Sequence, residues 1–196
     1  MTQVDIIRKR TKEILKYKSK EANQSLAHDW GHCQRVWYIA RSIAKNYKGI
    51  DLEVLEVSSM LHDIDQPYNM KKEHAKRSLN LADKILKEFN YEKRDKVLSV
   101  IEQHSTEKII KKGSMEAKIL FDADKLDGLG PIGIARVFLY CGQKGINIEQ
   151  TIRWYNRKIN IALKNLQTKE GKQMANERLK FTKNFIQNLK KSMRNE

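Results

Sequence analysis

The stretch DADKLDGLGPIGIAR, residues 122–136, decides how this chain folds. Its first part continues an apolar stripe at helical spacing, with Asp124 falling in line with Ala117, Leu120 and Phe121. Gly128 and Gly130 then break the helix, and Pro131 restarts one, because proline suits a first helical turn where its missing N–H is not needed. The glycines do not form a phosphate cradle, since no GxxxxGK[ST] is present. Helix, stop and helix again is the rhythm on both sides of this stretch. The chain has only 2 Pro and 9 Gly, and five of the glycines lie between 128 and 145. Apolar residues recur at i, i+3, i+4 and i+7, and strict alternation is absent. The pattern predicts an all-α fold of eight or nine helices over about 3–19, 30–47, 51–66, 71–89, 92–107, 114–128, one starting behind Pro131, 148–166 and 168–192, with Asp29 capping the second and a turn at 142–145.

The 196 residues suit one domain, and neither a repeat nor a linker divides them. With 40% hydrophobic residues the chain has enough apolar surface for a core. Two cysteines, Cys33 and Cys141, make no disulfide framework, and Cys33 reads as packing. The first residues lack the apolar run of a signal peptide, and no stretch reaches the ~20 apolar residues that span a bilayer. A cytoplasmic location without a membrane partner is the expectation. The formal net charge of +15 resides at the two ends, +5 over residues 1–20 and +9 over 151–196. Such ends raise the local concentration of anions, but their basic residues interleave with apolar ones as on a solvated helix face. No zinc-finger spacing, RNP motif or basic zipper accompanies them, which makes nucleic acid a secondary partner at most.

The chemical signal is where polar residues sit on apolar faces. His32 shares a face with Val36, Ile39 and Ile43; His62 with Leu55; His74 with Ser78, Leu81 and Ile85; and His104 with Val97 and Ile101. With Asp124, five helices each turn one His or Asp inward. A buried carboxylate is costly unless it is paired, hydrogen-bonded or bound to metal. Imidazoles and carboxylates converging from several helices are what a divalent ion needs. The doublet His62-Asp63 strengthens the case, because two adjacent ligands at a helix end reach one ion. Asp122, two residues before Asp124, points about 200° round and lacks the apolar register.

The order His32…His62-Asp63…Asp124 resembles the HD superfamily of metal-dependent phosphohydrolases. The segments HDWGHCQRVWYIA (28–40), LHDID (61–65), EHAKRS (73–78), VIEQHS (100–105) and DADKLDGLGPIGIAR (122–136) are similar to the motifs of its small single-domain bacterial and archaeal members. WYNRKI (154–159) and ERLKF (177–181) extend the likeness, which covers roughly residues 20–190. The resemblance implies an all-α HD domain over 1–196 that holds one divalent ion through His32, His62, Asp63 and Asp124. It implies hydrolysis of a phosphate ester or anhydride in a nucleotide by a metal-activated hydroxide. Pyrophosphate release from a (deoxy)nucleoside triphosphate is the leading activity. Two imidazoles and two carboxylates suit Mn, Fe, Co, Ni or Zn better than Mg, and manganese is the first choice.

The remaining roles stay open. Some HD hydrolases carry a glutamate three positions after the doublet; this chain has Gln66 there, with Asp65 one residue off. Asp65, His74, His104 and Asp127 are the candidates for acid–base or orienting work, and Asp127 also pairs well with Arg35 or Arg136. Arg35, Lys71, Lys72 and Lys125 are the candidate substrate cations. His28, His74 and His104 fit core histidines, phosphate contacts or ligands of a second ion. Trp37, Tyr38, Trp154 and Tyr155 suit either core packing or stacking on a base. Two other readings compete: a dinuclear di-iron oxygenase with the same ligand order, and a basic nucleic-acid-binding protein with an inactive HD core.

Overall fold

The computed structural model describes residues 1–18, 27–65, 74–104 and 113–194. These form nine α-helices and no strand: α1 (Gln3–Lys18), α2 (Trp30–Ala44), α3 (Leu52–Leu61), α4 (His74–Glu88), α5 (Arg94–His104), α6 (Met115–Asp127), α7 (Gly130–Gln143), α8 (Ile148–Asn165) and α9 (Lys169–Ser192). The all-α expectation holds. Short polar residues open the helices as their chemistry requires. Asp29 accepts from the backbone N–H of His32 at 2.8 Å, Ser114 from Ala117 at 3.1 Å and Thr168 from Gly171 at 3.0 Å. Asn147 and Gln150 cap α8 reciprocally. Two helices end earlier than the sequence pattern has them. α2 stops at Ala44, where Asn46 and Tyr47 bond three residues back, to Ile43 and Ala44. α3 stops at Leu61, and His62–Asp65 turn away with the Asp65 N–H on Ser78 Oγ at 3.1 Å. That early stop frees both members of the doublet from the helix.

α2 lies at the centre, against α3 and α6; α5 bridges α3, α4 and α6, and α9 crosses α6 and α7. Val36, Ile43, Leu55, Leu61, Ile101, Leu120 and Phe121 are almost wholly buried where these helices meet. No described helix is long and apolar enough to cross a membrane.

The joint between α6 and α7 is pinned from three sides. Gly130 adopts φ +76°, which an L side chain rarely does, and its N–H donates to Thr182 Oγ1 of α9 at 2.9 Å. Tyr155 Oη donates to Gly128 O at 2.7 Å, and Arg178 to Leu126 O at 2.7 Å. A Cβ on Gly133 would lie 2.2 Å from the Gly128 carbonyl carbon, so only glycine lets α7 fold back this closely.

Asp122 has a structural role that the sequence reading did not assign. It lies off the stripe of Asp124 but is fully buried, because α6 has protein on both of these faces. Its carboxylate accepts from the N–H groups of Gln167 at 2.9 Å and Thr168 at 2.7 Å, and from Thr168 Oγ1 at 2.6 Å. It therefore fastens the α8–α9 corner to α6, while burial pushes its carboxyl up despite these bonds. Asp122→Ala leaves buried N–H groups without a partner, and is expected to lower unfolding free energy by about 3 kcal/mol in a denaturant titration. A loss under about 0.5 kcal/mol would remove this anchoring role.

Candidate functional site

His32 sits in the first turn of α2, His62 caps the C-terminus of α3, Asp63 follows it, and Asp124 projects from the last turn of α6. The structure brings all four together: one donor atom from each lies within 4.8 Å of the others. His32 Nε2 and His62 Nε2 are 3.2 Å apart. Asp124 Oδ1 is 3.6 Å from His32 Nε2 and 4.0 Å from His62 Nε2, and Asp63 Oδ2 is 3.9 and 3.8 Å from them.

The donor set fits a cation. His32 Nδ1–H donates to Asp127 Oδ2 at 2.8 Å, and His62 Nδ1–H donates to the Ser59 carbonyl at 2.9 Å. Each imidazole thus turns a lone pair on Nε2 inward. Burial lowers the pKa of His32, helped by the charge of Arg136, which keeps the ring neutral. Burial would raise Asp63 and Asp124, but their surroundings, the Lys125 ammonium foremost for Asp124, hold both below the usual carboxylate range. The Nε2 atoms of two imidazoles and the oxygens of two carboxylates face one point. Nitrogen and oxygen ligands about 2.1 Å from one ion stand roughly 3–4 Å apart, which matches the spacing here. Asp124 divides its oxygens, Oδ1 toward the histidines and Oδ2 to Lys125 Nζ at 2.9 Å.

Asp127 is the support behind this cluster. It is 2% exposed and binds His32 Nδ1, Arg35 Nε at 2.8 Å and Arg136 Nη1 at 2.7 Å. A carboxylate behind a ligand histidine fixes its tautomer and orientation. Arg35 grips Asp127 through both Nε and Nη2 and is not among the residues that line the pocket. Arg136 also donates to the Ala27 carbonyl at 2.8 Å, tying α7 to the segment that carries His28.

The cluster opens into a cavity of about 330 Å³. Asp63, His104, Asp124 and Lys125 line it together with Arg136, Tyr140, Trp154 and Lys158. Ligand pockets begin at about this size. His28 lines it too, with Nε2 3.8 Å from Asp63 Oδ2. His104 Nδ1–H donates to the Ile101 carbonyl, and its ring meets His62 edge to face, centroids 5.1 Å apart. Burial pushes His28 down to about 3 and His104 down to about 4, so both rings are neutral at physiological pH.

Other candidates end up elsewhere. Asp65 forms ion pairs with Lys18 and, at 3.3 Å, with Arg77, so it clamps α1 and α4 to the end of α3. Gln66, Lys71 and Lys72 lie outside the described residues, as does the side chain of His74, which opens α4. Cys33 is buried, as expected, and Tyr38 is 62% exposed away from the pocket wall. Tyr140 carried no signal that single-sequence reasoning used. Its place, one turn after Arg136 on α7, is the clue that was available.

Comparison with known proteins agrees with this geometry. The HD domain family matches residues 29–129, which contain all four clustered residues. The chain therefore belongs to the HD-domain family of metal-dependent phosphohydrolases. The uncharacterized protein YpgQ of Bacillus subtilis (strain 168) is 29% identical over 179 residues, covering 87% of each chain. The crystal structure of B. subtilis YpgQ in complex with ADP has a TM-score of 0.76 at 27% identity, covering 97% of this chain and 94% of that one. An HD-superfamily hydrolase from Bacillus thuringiensis has a TM-score of 0.69 at 25% identity, with both chains covered in full.

Proposed function

We propose that this protein is a nucleoside triphosphate pyrophosphohydrolase that acts on ribo- or deoxyribonucleotides. The observation that carries the reading is a His–Asp cluster opening directly into a cationic, aromatic-walled cavity. The ADP complex of the related YpgQ supports a nucleotide as occupant.

His32, His62, Asp63 and Asp124 would hold one divalent ion, manganese being our first choice, and the chain supplies the rest. A bound ion of this kind withdraws charge from a phosphoryl oxygen and makes water nucleophilic at neutral pH. Asp127 keeps the His32 lone pair aimed inward. Lys125 and Arg136, both in the pocket wall, meet negative charge that spreads over the phosphoryl oxygens as the bond breaks. His104, neutral with its Nδ1–H spent on Ile101, has Nε2 left to accept a proton from an attacking water. It takes the general-base role that the sequence left between Asp65, His74, His104 and Asp127.

The test is product analysis on a panel of ribo- and deoxyribonucleoside triphosphates with added Mn²⁺. Pyrophosphate and the monophosphate are the expected products, with turnover abolished by a chelator and restored by Mn²⁺. Release of single phosphates would replace the proposed bond; no turnover on any triphosphate would refute the activity. Iron-dependent oxygen consumption would favour the di-iron oxygenase reading instead.

A further inference from the structure

The lining of the cavity includes a feature that the hydrolytic cluster does not need. Tyr140 of α7 and Trp154 of α8 stack, ring centroids 5.7 Å apart at an interplanar angle of 28°, and both line the cavity. Lys144 Nζ lies 4.3 Å from the Tyr140 centroid, and Lys158 Nζ 5.8 Å from that of Trp154. Ordinary core packing looks different, as the neighbouring Tyr155 shows: it is 2% exposed and its hydroxyl is spent on the Gly128 carbonyl. Tyr140 and Trp154 are only half-buried.

The stacked pair also starts where the metal cluster ends. The Tyr140 ring meets His28 edge to face, centroids 6.3 Å apart, and His28 Nε2 stands 3.8 Å from Asp63 Oδ2. A ligand with phosphate at the cluster therefore has its other end beside a flat, cation-flanked π surface. Aromatic side chains hold nucleobases by stacking, and they do so with little regard to base identity because every base has a π face. Lys158, which lies over the Trp154 ring and lines the cavity, adds attraction for a ligand's anionic tail, while Lys144 over the Tyr140 ring is outside the cavity lining.

We propose that the Tyr140–Trp154 pair is the platform on which the substrate's base stacks, and so the element that selects nucleotides over inorganic polyphosphates. This rests on the nucleotide reading above. It further implies that different bases are accepted with similar affinity.

The test compares two ligands, α,β-methylene-ATP, whose bond to the α-phosphorus resists hydrolysis, and inorganic tripolyphosphate. Each is titrated calorimetrically into the Mn²⁺-loaded protein and into Trp154→Leu and Trp154→Phe. Trp154→Leu is expected to weaken the nucleotide analogue about tenfold or more and to leave tripolyphosphate within about twofold. Trp154→Phe keeps an aromatic face and restores most of the affinity. The analogue also quenches tryptophan emission in the parent, and Trp154→Phe loses that quenching while still binding. Equal weakening of both ligands, undiminished nucleotide affinity in Trp154→Leu, or failure of the parent to bind the analogue overturns the proposal. A protein that follows the expected pattern yet cleaves no triphosphate contradicts the proposed reaction and leaves the platform standing.

Discussion

An Asp63→Ala substitution is expected to leave a folded protein with about a thousandth or less of the parent's phosphohydrolase turnover. Asp63 supplies one of the two carboxylates that face His32 and His62, and burial has not cost it its negative charge. Without it the cluster loses half its formal charge and one donor, and with them its hold on a divalent ion. Metal activation of water and of the phosphoryl group is worth several kcal/mol, which is about 10³ in rate. The fold has little to lose, because Asp63 lines the cavity and is not part of the apolar core. Turnover, metal content by elemental analysis after gel filtration, and a thermal melt together read this out. A variant that keeps its metal and more than a tenth of the turnover would sink the four-residue centre.

Asp127→Ala is expected to damage both stability and activity, and to do so without touching a donor atom of the cluster. Its carboxylate joins α2 to α7 by receiving His32, Arg35 and Arg136 together. Removing one partner of a buried ion pair typically costs 3–5 kcal/mol; with Arg35 32% exposed, about 3 kcal/mol is the expectation. Losing the carboxylate behind a ligand histidine lowers metal affinity or activity about 10- to 100-fold. Denaturant unfolding and Mn²⁺ titration measure the two effects separately. Asp127→Asn is the discriminating companion: it keeps the shape and an acceptor, and is expected to recover part of the stability while His32 remains poorly oriented. Parent-like Mn²⁺ affinity in both variants would refute the orienting role. The pH dependence has a definite sign. Burial would raise the Asp127 carboxyl, but the His32 and Arg35 hydrogen bonds and the charge of Arg136 hold it below the usual carboxylate range. A depressed folded pKa stabilises the protein above the unfolded value of about 3.9, and that contribution is lost as the pH falls through the folded pKa.

The ligand cluster was legible because burying a carboxylate or imidazole on an apolar stripe has few low-energy explanations. Asp124 in register with Leu120 and Phe121, and His32 in register with Val36 and Ile39, state that problem in one dimension. The helix starts at Asp29 and Pro131 were legible for an equally local reason, the chemistry of first turns. What depended on the direction of tertiary packing was not legible. Asp122 is off the Asp124 stripe as its register implies, but its burial against the α8–α9 corner was not legible, because α6 is enclosed on more than one face. The ion pairs of Asp65 with Lys18 and Arg77 were not legible either, because they depend on the turn by which the chain leaves α3. Tyr140 and Trp154 are 14 positions apart on two helices, and only the packing of α7 on α8 makes them one surface.

Every clustered residue lies between His32 and Asp124, within the 29–129 family match, whereas Arg136, Tyr140, Trp154 and Lys158 all come from later in the chain. On the proposed reading, the metal centre and the aromatic part of the substrate pocket are thus written on separate stretches of the chain, with Arg136 serving both. Drift in α7 and α8 can retune which molecules enter while the reacting centre is inherited intact. An ancestor with this layout could give rise to enzymes of different diets through substitutions confined to about two helices. For an engineer the same division marks Tyr140, Trp154 and Lys158 as the positions to randomise when a new substrate is wanted, with Arg136 and Tyr155 kept.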